Sequence, residues 1–328
     1  MRKKIIGVVI LVGLLFVGKL IWNMNDISTI RHFAENGEYQ TFYTKIKDKV
    51  EQHDSAAIEM LMEYFIQAVQ NGTLEQVKYY LDQNKNLINM QSKEGARAVD
   101  ALLVANEQVN LEVLNLLLSY HPELNYTVSY FRNMVPLQMI ASKHNLHNGV
   151  EIINLLIRNG ANPNFCSSEG EASSSALLMS YIADNLEIFQ ALLKNGASIK
   201  LENKNGNELL GFIAGSYVLE LQKSFPELKN IYSNPLTQKV QAVIQSNSYR
   251  IIHIKNMKYL QIAMESKTIN DFDEKGLLKL AQYYAVTNEV DGMTLLKEKG
   301  LCHLKNICDD VYQKALLNNN RAIMSIIK

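Results

Sequence analysis

Residues 153–164 read Ile-Asn-Leu-Leu-Ile-Arg-Asn-Gly-Ala-Asn-Pro-Asn, and two other segments repeat their pattern. Residues 114–125 read Leu-Asn-Leu-Leu-Leu-Ser-Tyr-His-Pro-Glu-Leu-Asn, and residues 189–200 read Phe-Gln-Ala-Leu-Leu-Lys-Asn-Gly-Ala-Ser-Ile-Lys. Each places apolar residues at i, i+3 and i+4 (Leu114, Leu117, Leu118; Ile153, Leu156, Ile157; Phe189, Leu192, Leu193), the single buried stripe of a short helix. Asn159-Gly160 and Asn195-Gly196 predict where it stops, because glycine accepts the left-handed conformation that closes a helix end. The stripes begin 39 residues apart between 114 and 153 and 36 apart between 153 and 189, so the unit is helical, short and tandem.

The residues ahead of each stripe supply a partner helix. Val135-Pro136-Leu137-Gln138 precedes the second stripe, Ser175-Ala176-Leu177-Leu178 the third, and Ala101-Leu102-Leu103-Val104-Ala105 the first. Upstream, Ala68, Gly72, Val77 and Tyr80-Leu81 fit Ala-x3-Gly-x4-Val-x2-Leu-Leu. Over roughly residues 56–215 the pattern resembles the ankyrin repeat, whose period is about 33 residues. No unit carries a full Thr-Pro-Leu-His box, His121 stands where the glycine is expected, and most units run several residues long, which places the excess in loops. The resemblance implies an all-α fold, an ankyrin-repeat solenoid of helix-turn-helix units that bury their apolar faces by stacking. A generic helical bundle is the alternative.

The expected organisation is a transmembrane helix in residues 1–25, a spacer and capping layer in 26–55, the repeat array in 56–215, a divergent helical insertion in 216–270, and a degenerate repeat with closing helices in 271–328. Ile27, Ile30, Phe33, Phe42 and Ile46 carry the helical period of the capping layer. At the start, Arg2-Lys3-Lys4 precedes an uncharged run from Ile5 to Gly18, then Lys19 and Leu20-Ile21-Trp22. With Lys19 snorkelling, residues 5–22 form a helix of roughly 27 Å, close to the ~30 Å hydrocarbon core of a bilayer. A cleaved secretory signal is the competing reading, but a cut after Gly18 would put Phe16 three residues before it, where a small residue is needed. The basic cluster keeps the amino end in the cytoplasm, so everything after Trp22 is exported, which in a bacterium means an inner-membrane protein facing the periplasm.

The 328 residues are 47% hydrophobic, with 33 basic and 33 acidic side chains, which argues for folding throughout and removes the electrostatic case for nucleic acid. Cys166, Cys302 and Cys308 are too few and too widely spaced for a zinc ribbon. Buried free thiols are their default reading, with a Cys302–Cys308 disulfide open in an oxidising compartment. His144 and His147, at i and i+3, could share a helix face, but no partner completes a metal set, so they read as polar residues of a repeat connection. No nucleophile elbow, phosphate loop or His-Glu-x-x-His is present, and Asp309-Asp310 and Glu169/Glu171 read as solvated charge. The expectation is therefore a non-enzyme without cofactor, metal or small-molecule substrate.

Recognition of another protein remains. Function in such arrays concentrates in loops held by the scaffold. The longest connection, 126–135, carries Tyr126, Tyr130, Phe131 and Arg132, residue types that often dominate interfaces, although Tyr126 and Phe131 could instead pack beneath the loop. The next two connections add Phe165, Glu169 and Glu171, then Glu202 and Lys204. Anchored, exported repeat proteins of this kind resemble immunity partners of secreted antibacterial effectors, including lipases delivered by type VI secretion. The resemblance thus implies one cognate partner, a toxic enzyme. The alternative is a periplasmic helper that stabilises or positions a resident enzyme.

Overall fold

The computed structural model describes residues 27–105, 108–128, 133–144, 146–165, 175–200, 209–224, 246–304 and 306–328. Among them every element is helical apart from an isolated antiparallel bridge between Val128 and Met134. No described helix is long and apolar enough to cross a membrane, and the expected anchor in residues 1–25 lies outside the described residues. The chain divides into two compact units, residues 1–123 and 124–328.

In the first unit, helix α1 (27–35) and α2 (Tyr39–Glu51) precede two helix pairs, α3 (Ser55–Asn71) with α4 (Leu74–Gln83) and α5 (Ala98–Ala105) with α6 (Leu111–Ser119). Polar caps fix where they start: the Asp54 carboxylate accepts from the Ala56 and Ala57 amides, Thr73 Oγ1 from Gln76, and Asn110 Oδ1 from Glu112 and Val113. Phe42 and Ile46 of α2 are buried, and Phe42 meets Tyr64 and Tyr80 edge to face at 5.2 and 6.5 Å. Tyr80 also meets Phe65 of α3 at 5.9 Å, so one ring of α4 gathers α2 and α3 around it.

The second unit is a stack of helix pairs: α7 (Pro136–Ala141) with α8 (Gly149–Arg158), α9 (Ala176–Ile182) with α10 (Leu186–Lys194), α11 (Leu209–Ser224) with α12 (Asn247–Ser266), α13 (Glu274–Thr287) with α14 (Val290–Glu298), and α15 (Ile307–Leu317) with α16 (Arg321–Ile327). First helices pack on first helices, α7 on α9, α11 on α13 and α13 on α15, and second on second, α8 on α10, α10 on α12 and α14 on α16. Ile153, Leu156, Phe189 and Leu192 of the quoted stripes are fully buried. Gly160 and Gly196 take φ of +101° and +87° as the stop requires, and His121, at the matching place in the first unit, is held at +54° without a glycine. α11 runs through residue 215, where the expected edge of the array falls. It is tied to its neighbours by a buried polar set: Tyr181 Oη of α9 donates to Asn256 Oδ1 of α12 at 2.7 Å, and Asn256 Nδ2 donates to Ser216 Oγ of α11 at 2.8 Å.

The pairs are also stitched at their turns by asparagine amides. Asn125 donates to the Gly160 carbonyl at 2.9 Å and accepts from the Asn162 amide at 2.7 Å. Asn164 repeats this one pair later, donating to Gly196 at 3.1 Å and accepting from Ser198 at 2.7 Å. In the first unit, Asn89 accepts from the Glu123 amide at 2.9 Å. Two starting turns share a further device: Arg97 N donates to Asp100 Oδ2 and Val135 N to Gln138 Oε1, each at 3.0 Å with a fully buried acceptor residue. The opening turn of α5 is therefore Arg97–Asp100, four residues ahead of the stretch quoted from the sequence, where Ala98-Val99 offers no proline like Pro136 to mark it.

Two readings of the sequence are corrected. Cys302 and Cys308 are not free thiols: a disulfide joins them, tying the turn after α14 to the first turn of α15. His144 and His147 do not share a helix face; both lie in the α7–α8 connection, and His144 Nδ1 is 2.7 Å from the Ala183 carbonyl oxygen.

Leu156→Ala should lower stability by about 2–5 kcal/mol in chemical denaturation, while Leu156→Asp should melt at least the pairs around α8. Asn164→Ala removes two bonds that leave backbone groups behind, and about 1–3 kcal/mol should be lost, whereas Asn162→Ala, at a more exposed position whose side chain bonds only locally, should cost less than half as much.

Candidate functional site

The loop residues assigned to partner contact divide by location. Tyr130, Phe131, Arg132, Glu169, Glu171, Glu202 and Lys204 lie outside the described residues. Tyr126 is 8% exposed, so its ring belongs to the packing of the second unit rather than to an open surface, and Phe165 is half-buried. What the structure does fix is the base of the longest connection. Val128 N donates to the Met134 carbonyl at 2.9 Å and Asn133 N to the Val128 carbonyl at 3.1 Å, so the flanks of the 129–132 stretch are pinned together.

A second constellation draws on residues not singled out from the sequence. α12 carries Tyr249, His253 and Asn256 at i, i+4 and i+7, one helix face. From α11, Tyr217 stacks on Tyr283 of α13 with ring centroids 4.7 Å apart, and the Tyr249 and Tyr283 hydroxyls meet. Tyr217 Oη lies 3.1 Å from His253 Nδ1, which directs the other ring nitrogen outward. His253 Nε2 stands 3.1 Å from Asp291 Oδ2 and 3.6 Å from Glu289 Oε2. Both carboxylates come from the start of α14, after Asn288 takes φ of +61° and reverses the chain: Glu289 stands at the position just before the helix, and Asp291, in its first turn, accepts at Oδ1 from the Gly292 amide at 3.0 Å. Gly292 admits this approach, since a Cβ there would fall 2.6 Å from the Tyr284 ring.

The imidazole and Glu289 are mostly enclosed, with side chains 16% and 15% exposed, while Asp291 is 65% exposed and opens one side to water. Burial raises the Glu289 carboxyl above the ordinary range, and His253 opposes that rise. For Asp291 burial alone would also raise it, but the hydrogen bond and charge of His253 and the Gly292 amide outweigh it and the group is more acidic than usual. Burial pushes the hydroxyls of Tyr217, Tyr249 and Tyr284 above the ordinary tyrosine range, and that of Tyr181 up to about 12.

One signal for this cluster is present in the sequence. Asn288-Glu289 occupies the place that Asp184-Asn185 and Asn319-Asn320 hold in two other pairs, a left-handed residue followed by the residue just before the second helix. Asn185 uses that place to donate to Lys143 O at 3.3 Å, and Asn320 to donate to Val286 O at 3.0 Å. A carboxylate cannot donate, so Glu289 marks the pair whose turn faces a different group. His253 itself gives no warning, being 36 residues earlier (253 to 289) in the divergent stretch.

No protein-family model matches the sequence, and the curated proteins contain no match to it.

The buried hydroxyls set an alkaline limit. Their folded pKa values are raised, so the stability they contribute is fully present below the ordinary tyrosine value of 10.0 and is lost as pH climbs through the folded values, Tyr181's at about 12. The part of the tyrosinate absorbance that comes from the buried hydroxyls should rise together with the loss of helical circular dichroism. Ionisation of all the tyrosines with helix retained would show that the cluster is not closed to water.

Proposed function

We propose that the chain is an ankyrin-type binding scaffold, anchored by residues 5–22 and exported, that protects its host by covering a secreted antibacterial enzyme. The observation that carries the scaffold reading is the asparagine stitching at Asn125 and Asn164, spaced 39 residues apart (125 to 164) like the stripes from 114 to 153. It gives the tandem pattern a physical cause in the stack and holds the turns from which loops project. The Cys302–Cys308 bond supports export, because disulfides persist in oxidising compartments and are rare in the cytosol. The pinned flanks of the 129–132 stretch support a display role for Tyr130, Phe131 and Arg132, with Glu169 and Glu171 on the following connection as acidic support. An anchored scaffold protects by blocking a toxin's active site or its access to lipid or wall, which requires tight association through a few desolvated aromatic or arginine anchors.

Affinity purification of the full chain from its native host should recover one dominant secreted effector. Phe131→Ala combined with Arg132→Ala should weaken that complex at least about thirtyfold, the loss of anchors typically worth about 2 kcal/mol or more, without lowering the melting temperature. Recovery of a resident periplasmic enzyme instead would favour the helper role, and hydrolytic activity in the purified chain alone would overturn both.

A further inference from the structure

We propose that His253, Glu289 and Asp291 bind a zinc ion in tetrahedral coordination, with water as the fourth ligand. The two spacings from the imidazole nitrogen are already close to those such an ion imposes. Bonds of about 2.1 Å to nitrogen and oxygen put neighbouring ligands of a tetrahedron about 3.4 Å apart, and His253 Nε2 lies 3.1 Å from Asp291 Oδ2 and 3.6 Å from Glu289 Oε2. All three ligand atoms fall within 4.8 Å of one another. One imidazole and two carboxylates are a mixed nitrogen and oxygen set that suits zinc. The supporting shell is in place as well: Tyr217 Oη, 3.1 Å from Nδ1, can accept the N–H that leaves Nε2 free to ligate, and Tyr217 is itself buried and stacked on Tyr283.

The charges argue the same way. Among the described residues the His253 ring is the sole basic group within ion-pair distance of either carboxylate, so two acids converge on one titratable partner in a mostly enclosed corner. A dication satisfies both carboxylates at once, and the exposed edge at Asp291 admits the ion and its water. Binding would clamp α12 to the α13–α14 turn, two elements that the chain joins only through a separate turn and helix.

The test uses the full chain in detergent, stripped with chelator and titrated with zinc, then with cobalt as a spectroscopic replacement. One zinc per chain should bind, cobalt should give the visible absorption of a four-coordinate site, and zinc should raise the melting temperature. Asp291→Asn, at a largely exposed position that folding tolerates, should weaken zinc at least about a hundredfold and abolish the thermal shift, as should His253→Gln. His147→Gln, on the α7–α8 connection, should change nothing. Absence of saturable zinc binding, or binding that Asp291→Asn leaves intact, overturns the assignment.

Discussion

A helix pair leaves two debts when it folds alone: an apolar stripe on each helix and, at the ends, backbone amides and carbonyls that no helical bond reaches. Both are settled by the neighbouring pair. Side chains such as Ile153 and Leu156 meet the next stripe, while the amide of Asn125 serves Gly160 and Asn162 at once. Asparagine suits the task because its side chain both donates and accepts in one plane. The constraint sets the spacing of the pairs, and it leaves the chain between turn and next helix free to vary in length.

What could be read from the residues alone follows the same division. The stripes at 114, 153 and 189 are local, and local periodicity is written directly in sequence. The asparagine contacts join positions more than thirty residues apart, so Asn125 and Asn164 look like ordinary loop residues until their partners are placed. Asp100 was not singled out, because the amide it caps, that of Arg97, has no signature of its own in the sequence. Cys302 and Cys308 fixed only a small possible loop, since spacing permits a bond without deciding oxidation. The cluster at His253 needs three elements to meet, and no pattern along the chain announces such a meeting.

The middle of the second unit is held differently from the stitched pairs before it. There the Tyr181, Asn256 and Ser216 side chains meet in a buried polar set, beside the rings of Tyr217, Tyr249, Tyr283 and Tyr284. A satisfied buried network specifies one register, because sliding α12 by a turn would strand the Asn256 amide that Tyr181 and Ser216 now pair. α12 therefore gains a fixed position without the repeat consensus, and the titratable groups at its amino-terminal half are carried on a rigid base.

The covalent link between Cys302 and Cys308 lies two helices from the carboxyl end. In a stack where each pair contacts only its neighbours, terminal pairs open first and opening advances inward one interface at a time. A cross-link between Cys302 and Cys308 keeps the first turn of α15 beside the turn after α14 even while the rest of α15 opens. Re-formation of α15 then starts from a turn already in place, which a reduced chain would first have to find.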